Sequence, residues 1–526
     1  EDLIRTYLLE NTHGAVVIIR PERGRTARMD RELAEKLKAY KESLSPEEVQ
    51  KLVDDTHELE QYQEEESSPE DLAKIPVLKR TDISREIAPI YNDEMEIGGV
   101  KLVRHNIETN GIGYVTMMFD LSGIREELLP YVGILQSVLG IIDTTNYEYG
   151  ELFNEINIHT GGIGTSLELY TDVTKVKEKE FRATFEMRGK ALYPKMDVLF
   201  SMMREILMES RLDDEKRLKE ILAMLKSRLL ASFLSSGHTT AALRALSYTS
   251  PMSKFKDDTD GIGFYEAVKK IEEDFDGQKE TLIRNLKEIA RRIFRADNLM
   301  ISYTSSEEGI EPMTKAFAAV KDSLYTGGEI PDEACILHCR KRNEGFKTSS
   351  KVQYVARVGN FIDGGQKYSG TLQILKVILG YDYLWQNIRV KGGAYGCMSN
   401  FNRIGDAYLI SYRDPNLERT MEVYEGVVDY LKNFNVSDRD MNKFIIGTMS
   451  SLDRPMNPAA KGARSMNLYM NRVSEEMLRS ERGQILDAQQ EDIRALADVV
   501  KAMLDQKLLC VIGSEEKIEE QRDMFL

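Results

Sequence analysis

Cysteine is nearly absent from this chain: Cys335, Cys339, Cys397 and Cys510 are the only four in 526 residues. That is too few for a disulfide framework and suits a reducing compartment. Long apolar runs are missing too. Nothing approaches the roughly 20 residues a membrane helix needs, and no signal-peptide pattern is present, so the expectation is a soluble protein with no membrane partner, in the cytoplasm, with organelle targeting left open. Positive charge is short: 71 Lys and Arg face 87 Asp and Glu, a formal charge of -16, which argues against nucleic acid as a partner. Histidine is scarce as well. His13, His57, His105, His159, His238 and His338 never fall into H-x-x-E-H or H-E-x-x-H, the spacings that set two imidazoles and a carboxylate on one helix face for zinc. The run Cys335-Ile336-Leu337-His338-Cys339 lacks a second ligand pair to complete a tetrahedral shell. Gly364-Gly365 and Gly237-His238 read as turns, since no strand, glycine loop and lysine-bearing helix surround them. No metal site is therefore assigned to this chain.

What is present is repetition. Leu299-Met300-Ile301-Ser302-Tyr303 runs as a strand into Ser306-Glu307-Glu308-Gly309-Ile310-Glu311, and Leu509-Cys510-Val511-Ile512 runs likewise into Ser514-Glu515-Glu516-Lys517-Ile518-Glu519. A third copy of this closing unit, the strand-like Ala15-Val16-Val17-Ile18-Ile19-Arg20 after a helix-like Asp2 to Glu10, stands at the start of the chain. Residues 1–26 thus read as the tail of an upstream domain, and the chain as the C-terminal part of something longer. Residues 27–73 read as a helical hairpin. Ser45-Pro46-Glu47-Glu48 supplies a capping serine, a first-turn proline and a glutamate three residues past the cap, and Ser68-Pro69-Glu70-Asp71 starts another helix. The apolar spacing Leu33, Leu37, Tyr40, Leu44 then Val49, Leu52, Val53 favours a docked hairpin over a flexible charged linker.

A longer repeat fills the remainder. Tyr131-Val132-Gly133-Ile134-Leu135-Gln136 matches Tyr368-Ser369-Gly370-Thr371-Leu372-Gln373 at four of six positions, and each continues as an apolar helix to Leu139-Gly140 or Leu379-Gly380. Glycine pairs follow at Gly161-Gly162 and Gly392-Gly393, then two strands, a helix, and acidic helix starts at Leu212-Asp213-Asp214 and Val436-Ser437-Asp438. This order predicts an α+β fold of two homologous domains, 74–312 and 313–526, each a mostly antiparallel sheet covered by helices on one face.

Within the second repeat, Arg389 ends a helical stretch and Tyr395 begins a strand across the Gly392-Gly393 turn, an arrangement that can aim both side chains to one side. An arginine near a helix C-terminus is also favoured by the helix dipole alone. Aligning the glycine pairs sets Arg389 against Ile158 and Tyr395 against Gly164, so the sister domain folds without either residue, which weakens a purely architectural reading.

The run Leu384-Trp385-Gln386-Asn387-Ile388-Arg389-Val390-Lys391-Gly392-Gly393-Ala394-Tyr395-Gly396 resembles the arginine and tyrosine motif of the pitrilysin and insulinase zinc metallopeptidases. Ser236-Gly237-His238 leading into Leu243-Arg244-Ala245, the early hairpin and the C-terminal repeat resemble the presequence-protease and falcilysin branch. That resemblance implies the hairpin and second half of a four-domain chain that encloses a peptide-sized chamber and degrades short unfolded peptides. It implies zinc held by the N-terminal half, which would be this chain's partner, and no zinc here. It also implies roles for Tyr395 as oxyanion donor and Arg389 as a grip on the substrate backbone, with Gly392 and Gly393 letting the turn approach the substrate. Two other readings stay open: a non-catalytic peptide-binding or scaffold module, and a separate zinc-free subunit that pairs with a zinc-bearing one.

Overall fold

Two runs of alternating apolar residues build the sheets that organise the molecule. The computed structural model describes residues 1–526 apart from 21, 66, 328–336 and 526, so Cys335 lies outside the described residues. The chain divides into two compact units, Glu1–Val77 and Leu78–Leu526.

The first unit is helical. Short turns at Asp2–Ile4 and Arg5–Leu9 precede the helices Arg25–Ser43 and Pro46–Glu64, and Pro69–Lys74 follows. Ser45 and Glu48 form the expected capping box, Ser45 Oγ accepting from Glu48 N at 3.2 Å and Glu48 Oε2 from Ser45 N at 2.8 Å. The strand expected at Ala15–Arg20 is not formed: these residues have no regular structure, and Val16, Val17, Ile18 and Ile19 are exposed. A strand satisfies its main chain on a neighbour, and this unit offers none.

In the second unit, six strands form the first sheet: β1 Asp93–Ile97, β2 Val100–Asn106, β3 Ile112–Asp120, β4 Ile163–Tyr170, β5 Arg182–Leu192 and β6 Leu299–Ser305. Five form the second: β7 Asn343–Thr348, β8 Tyr354–Asn360, β9 Gly396–Phe401, β10 Asp406–Tyr412 and β11 Leu508–Ser514. Their orders are β1-β2-β6-β3-β5-β4 and β7-β11-β8-β10-β9. Leaving out β1, the two orders and the sense of every pairing coincide: β2 with β6 and β7 with β11 are parallel, all others antiparallel. The repeat in the sequence is thus a repeat of topology, and the two closing strands, β6 and β11, hold equivalent central places. The expected division between 312 and 313 falls inside the helix Ile310–Lys321. That helix packs on the first sheet's layer, with the Phe317 and Phe200 rings 5.9 Å apart.

Helices were expected on one face of each sheet. The structure instead shows the two halves exchanging a helix. Alternate residues of β8 and β11, such as Val355, Leu509 and Val511, face their own half's core, while Tyr354, Ala356, Val358, Leu508, Cys510 and Ile512 face a core that includes Ala241, Ala242 and Ala245 of the helix Gly237–Leu246. In return, the helix Pro458–Met470 of the second half lays Met466 against Val103, Met118, Tyr170 and Met300 on the open face of the first sheet. Both exchanged helices meet their sheet through a glycine that no larger residue could replace in place. A Cβ on Gly237 would lie 2.2 Å from the Tyr354 ring, and one on Gly462 would lie 1.9 Å from Thr304 Oγ1.

Charge ties the exchange together. Arg244, in the first exchanged helix, donates Nη1 to Asp257 Oδ2 at 2.7 Å, Nε to Glu344 Oε2 at 2.6 Å and Nη2 to Glu344 Oε1 at 3.0 Å, and Tyr248 Oη donates to Glu344 Oε2 at 2.8 Å. Asp406 of β10 is less well served. It is buried, accepting from Asn360 Nδ2 at 2.9 Å and Ser250 Oγ at 3.4 Å, with Lys179 and Asp363 as neighbouring charges. Burial raises its carboxyl to about 6, the two hydrogen bonds only partly opposing the rise. A raised folded pKa means that ionisation penalises folding. The penalty is nil below the ordinary value of 3.8, grows through about 6 and is constant above. Asp406→Asn is therefore expected to stabilise the protein at pH 7 by about 1 to 3 kcal/mol and to confer nothing below about pH 4. Thermal unfolding of both proteins across this range checks it, and parallel pH profiles would overturn it.

Candidate functional site

The site lies where β9 leaves the Gly392-Gly393 turn. The helix Thr371–Tyr381 is followed by a wider helical turn, Trp385–Val390, whose last residues include Arg389. The turn closes tightly: Gly393 N donates to Arg389 O at 3.0 Å and Ala394 N to Ile388 O at 3.0 Å. Gly393 has φ +78°, and a Cβ on Gly392 would lie 2.4 Å from the Ile388 carbonyl, so only glycines fit here without moving backbone. Asn416 Nδ2 pins the turn from outside by donating to Gly392 O at 2.6 Å.

The turn brings Arg389 and Tyr395 together, as their spacing suggested. Arg389 Nη1 donates to the Tyr395 carbonyl, and its guanidinium lies over the Trp385 ring at 4.7 Å and near the Tyr395 ring at 5.6 Å. Tyr395 itself is 67% exposed. Its phenol donates no hydrogen bond among the described residues, while its main-chain N–H is held by Tyr412 O at 3.0 Å. Arg389 therefore spends one donor on the turn and keeps the rest of its fork for a partner.

Sequence reasoning missed what braces Tyr395. The Tyr412 ring sits 5.8 Å away, edge to face, and leads to Tyr354 at 5.5 Å and His238 at 4.8 Å. Between Ile410↔Ala356 and Gln353↔Asp414 the register of β10 on β8 slips by one residue, making Arg413 the extra residue of a bulge with φ 50°. Such bulges bend a strand locally and re-aim side chains; this one brings the Tyr412 and Arg413 carbonyls to the Tyr395 N–H. His238, read from sequence as part of a turn, begins the exchanged helix. Burial lowers its pKa, and its buried Nδ1 has no hydrogen-bond partner among the described residues. No spacing rule links positions 238, 354, 395 and 412, so only the exchanged helix could reveal this cluster. Cys397, two residues into the site's strand, is no nucleophile: burial pushes its thiol up to about 11, against a partial opposing effect of Arg389.

The remaining candidates do not join the site. His105 is buried, its ring nitrogens bonded to Tyr91 O at 2.5 Å and Ser302 Oγ at 2.9 Å. His338 bonds Glu126 Oε2 at 2.6 Å. Among the described residues no group of three or more His, Cys, Asp or Glu is placed to hold a metal ion, and no helix is long and apolar enough to cross a membrane.

Comparison with known proteins gives this geometry a context. A family model for the region associated with subfamily C of the M16 peptidases matches residues 19–271, and one described as PreP C-terminal domain matches residues 343–515, the stretch that holds Arg389 and Tyr395. Protein HypA of Clostridium perfringens is 37% identical over 525 residues, covering 100% of this chain and 53% of that protein. Presequence protease 1, chloroplastic/mitochondrial, of Arabidopsis thaliana is 27% identical over 522 residues, 98% of this chain and 48% of that protein. The chain thus spans about half the length of these relatives. Among solved structures, a protease from Helicobacter pylori superposes with a TM-score of 0.54 at 13% identity, over 80% of this chain and 99% of that one. A peptidase M16 inactive domain from Pseudomonas fluorescens gives 0.53 at 14% identity, over 80% and 97%. At such low identity the two structures speak for the fold alone.

Proposed function

The chain belongs to the M16 peptidase family, in the branch of the presequence proteases, and on that footing we propose that it is the C-terminal half of a zinc endopeptidase that degrades short unfolded peptides in an enclosed chamber. The residues present do not fit a zinc site. The metal and the attacking water are assigned to an N-terminal half, which is this chain's partner, and no step is derived through them.

What this chain supplies is charge stabilisation. When a nucleophile adds to a peptide carbonyl, negative charge grows on the oxygen, and a preorganised donor aimed there helps most in the transition state. Tyr395 is suited to the task because its phenol is uncommitted while its ring and main chain are braced by Tyr412. Arg389 is suited to grip a substrate carbonyl with the donors that the turn leaves over. The single observation that carries this reading is the exposed, unspent phenol of Tyr395 beside a guanidinium at the end of β9.

Peptide hydrolysis by this chain, alone and mixed with a separately expressed N-terminal half, tests the reading, with zinc measured on both. Activity only on mixing, with zinc in the N-terminal half, is the expected result. Zinc-dependent cleavage by this chain alone would overturn it. Inactivity of an associated pair would favour the peptide-binding module instead.

A further inference from the structure

We propose that the free edge of β9 is a docking strand for an extended polypeptide, held by main-chain hydrogen bonds and leading directly to Tyr395. The proposal deepens the reading of Tyr395 and Arg389 as substrate-facing and rests on it.

Four strands end the two sheets: β1, β4, β7 and β9. Exposed sheet edges invite pairing with other chains, and proteins commonly guard them with charge. β1 carries Asp93, Glu94 and Glu96, β4 carries Glu168, and β7 carries Glu344 and Lys347. β9, Gly396-Cys397-Met398-Ser399-Asn400-Phe401, carries no charge and no proline. The unguarded edge is therefore the one that begins at the candidate site.

The direction of its main-chain groups follows from register. Asn402 N donates to Asp406 O at 3.1 Å, and on the far side of β10 Phe361 N donates to Gly405 O at 3.0 Å. Residues of an antiparallel ladder alternate between facing and turning away from the partner. With Asn400↔Tyr408 and Met398↔Ile410 in register, residues 398 and 400 bond to β10, and the N–H and C=O groups of Cys397, Ser399 and Phe401 turn to the free side. Among the described residues no side chain or turn bonds to those groups. Outward donors and acceptors recurring at about 7 Å match another extended backbone. Tyr395 stands two residues before Cys397, so a peptide paired along β9 continues to the phenol and to Arg389. Because the contact is to main chain, it tolerates many substrate sequences, yet it rejects a folded helix, whose amides are already spent.

The chain carries its own reporter. Trp385 is its single tryptophan, 38% exposed and stacked on Arg389. Fluorescence of Trp385 is titrated with an unstructured, tryptophan-free ten-residue peptide in three forms: unmodified, N-methylated at alternate residues, and N-methylated at every residue of its central six. Alternate methylation leaves one hydrogen-bonding edge intact, so the second peptide should bind within about threefold of the first, while the third should bind about tenfold or more weakly. Equal affinity of all three, equal loss in both methylated forms, or no saturable binding would each overturn the proposal. Turnover separates this result from the function reading. Tyr395→Phe slowing the assembled enzyme without any methylation pattern would sink the edge and leave the role of Tyr395 standing, and the reverse would do the opposite.

Discussion

Tyr395→Phe is expected to lower turnover of the assembled two-half enzyme by about 10²- to 10³-fold, the usual cost of losing one oxyanion donor, while leaving the fold intact. The structural half of this expectation comes from what the phenol does not do. Tyr395 is 67% exposed and its hydroxyl donates to nothing within the described residues, so folding has no use for it. The ring contact with Tyr412 at 5.8 Å survives in phenylalanine. Turnover should therefore fall with KM for a short peptide and the unfolding temperature nearly unchanged. Steady-state kinetics with a fluorogenic peptide, alongside thermal unfolding, measure both. Near-normal turnover would remove Tyr395 from the chemistry; a large drop in unfolding temperature would assign it to architecture instead.

The largest effect on stability is expected at Arg244. Its guanidinium lies among Asp257, Glu344 and the Phe346 ring, and both it and Asp257 are buried. Arg244→Ala leaves two carboxylates without their common cation, at a cost of about 3 to 5 kcal/mol. Glu344 also gives the variant a pH signature. Burial pushes its carboxyl up, but the hydrogen bonds and charge of Arg244, with Tyr248, outweigh that and hold it below its ordinary 4.5. A depressed folded pKa contributes stability that is present above the ordinary value and lost as pH falls through the folded one. The variant should thus be much weaker at pH 7 and lose less on acidification below about pH 4.5 than the parent. Urea unfolding at pH 7 and pH 4 followed by circular dichroism measures this. Equal stability at pH 7 would show that the exchanged helix is held by packing alone.

The repeat of elements was legible because each half carries its own local signals. The capping serines at Ser45 and Ser437 and the capping aspartate at Asp214 start helices where read. The glycine pairs stop helices and open strands, and the closing strands β6 and β11 hold equivalent places. The same apolar pattern at Ala15–Arg20 forms no strand, because a strand is a property of a pair, and sequence alone names only one member. The Arg389 and Tyr395 pair was legible because a six-residue step across a tight glycine turn fixes their relation locally. Tyr354, Tyr412 and His238 were not, since their meeting depends on a bulge at Arg413 and on a helix donated by the other half.

By itself, then, the sequence determined the α+β class, the duplication, the absence of a local zinc motif and the Arg389–Gly392–Gly393–Tyr395 turn, all set by interactions a few residues apart or by repetition along the chain. Tertiary structure decided the exchange of helices through Gly237 and Gly462, the Arg244 charge cluster and the uncharged edge of β9. Those depend on which faces and edges are left over once both sheets have formed, and long-range packing assigns them.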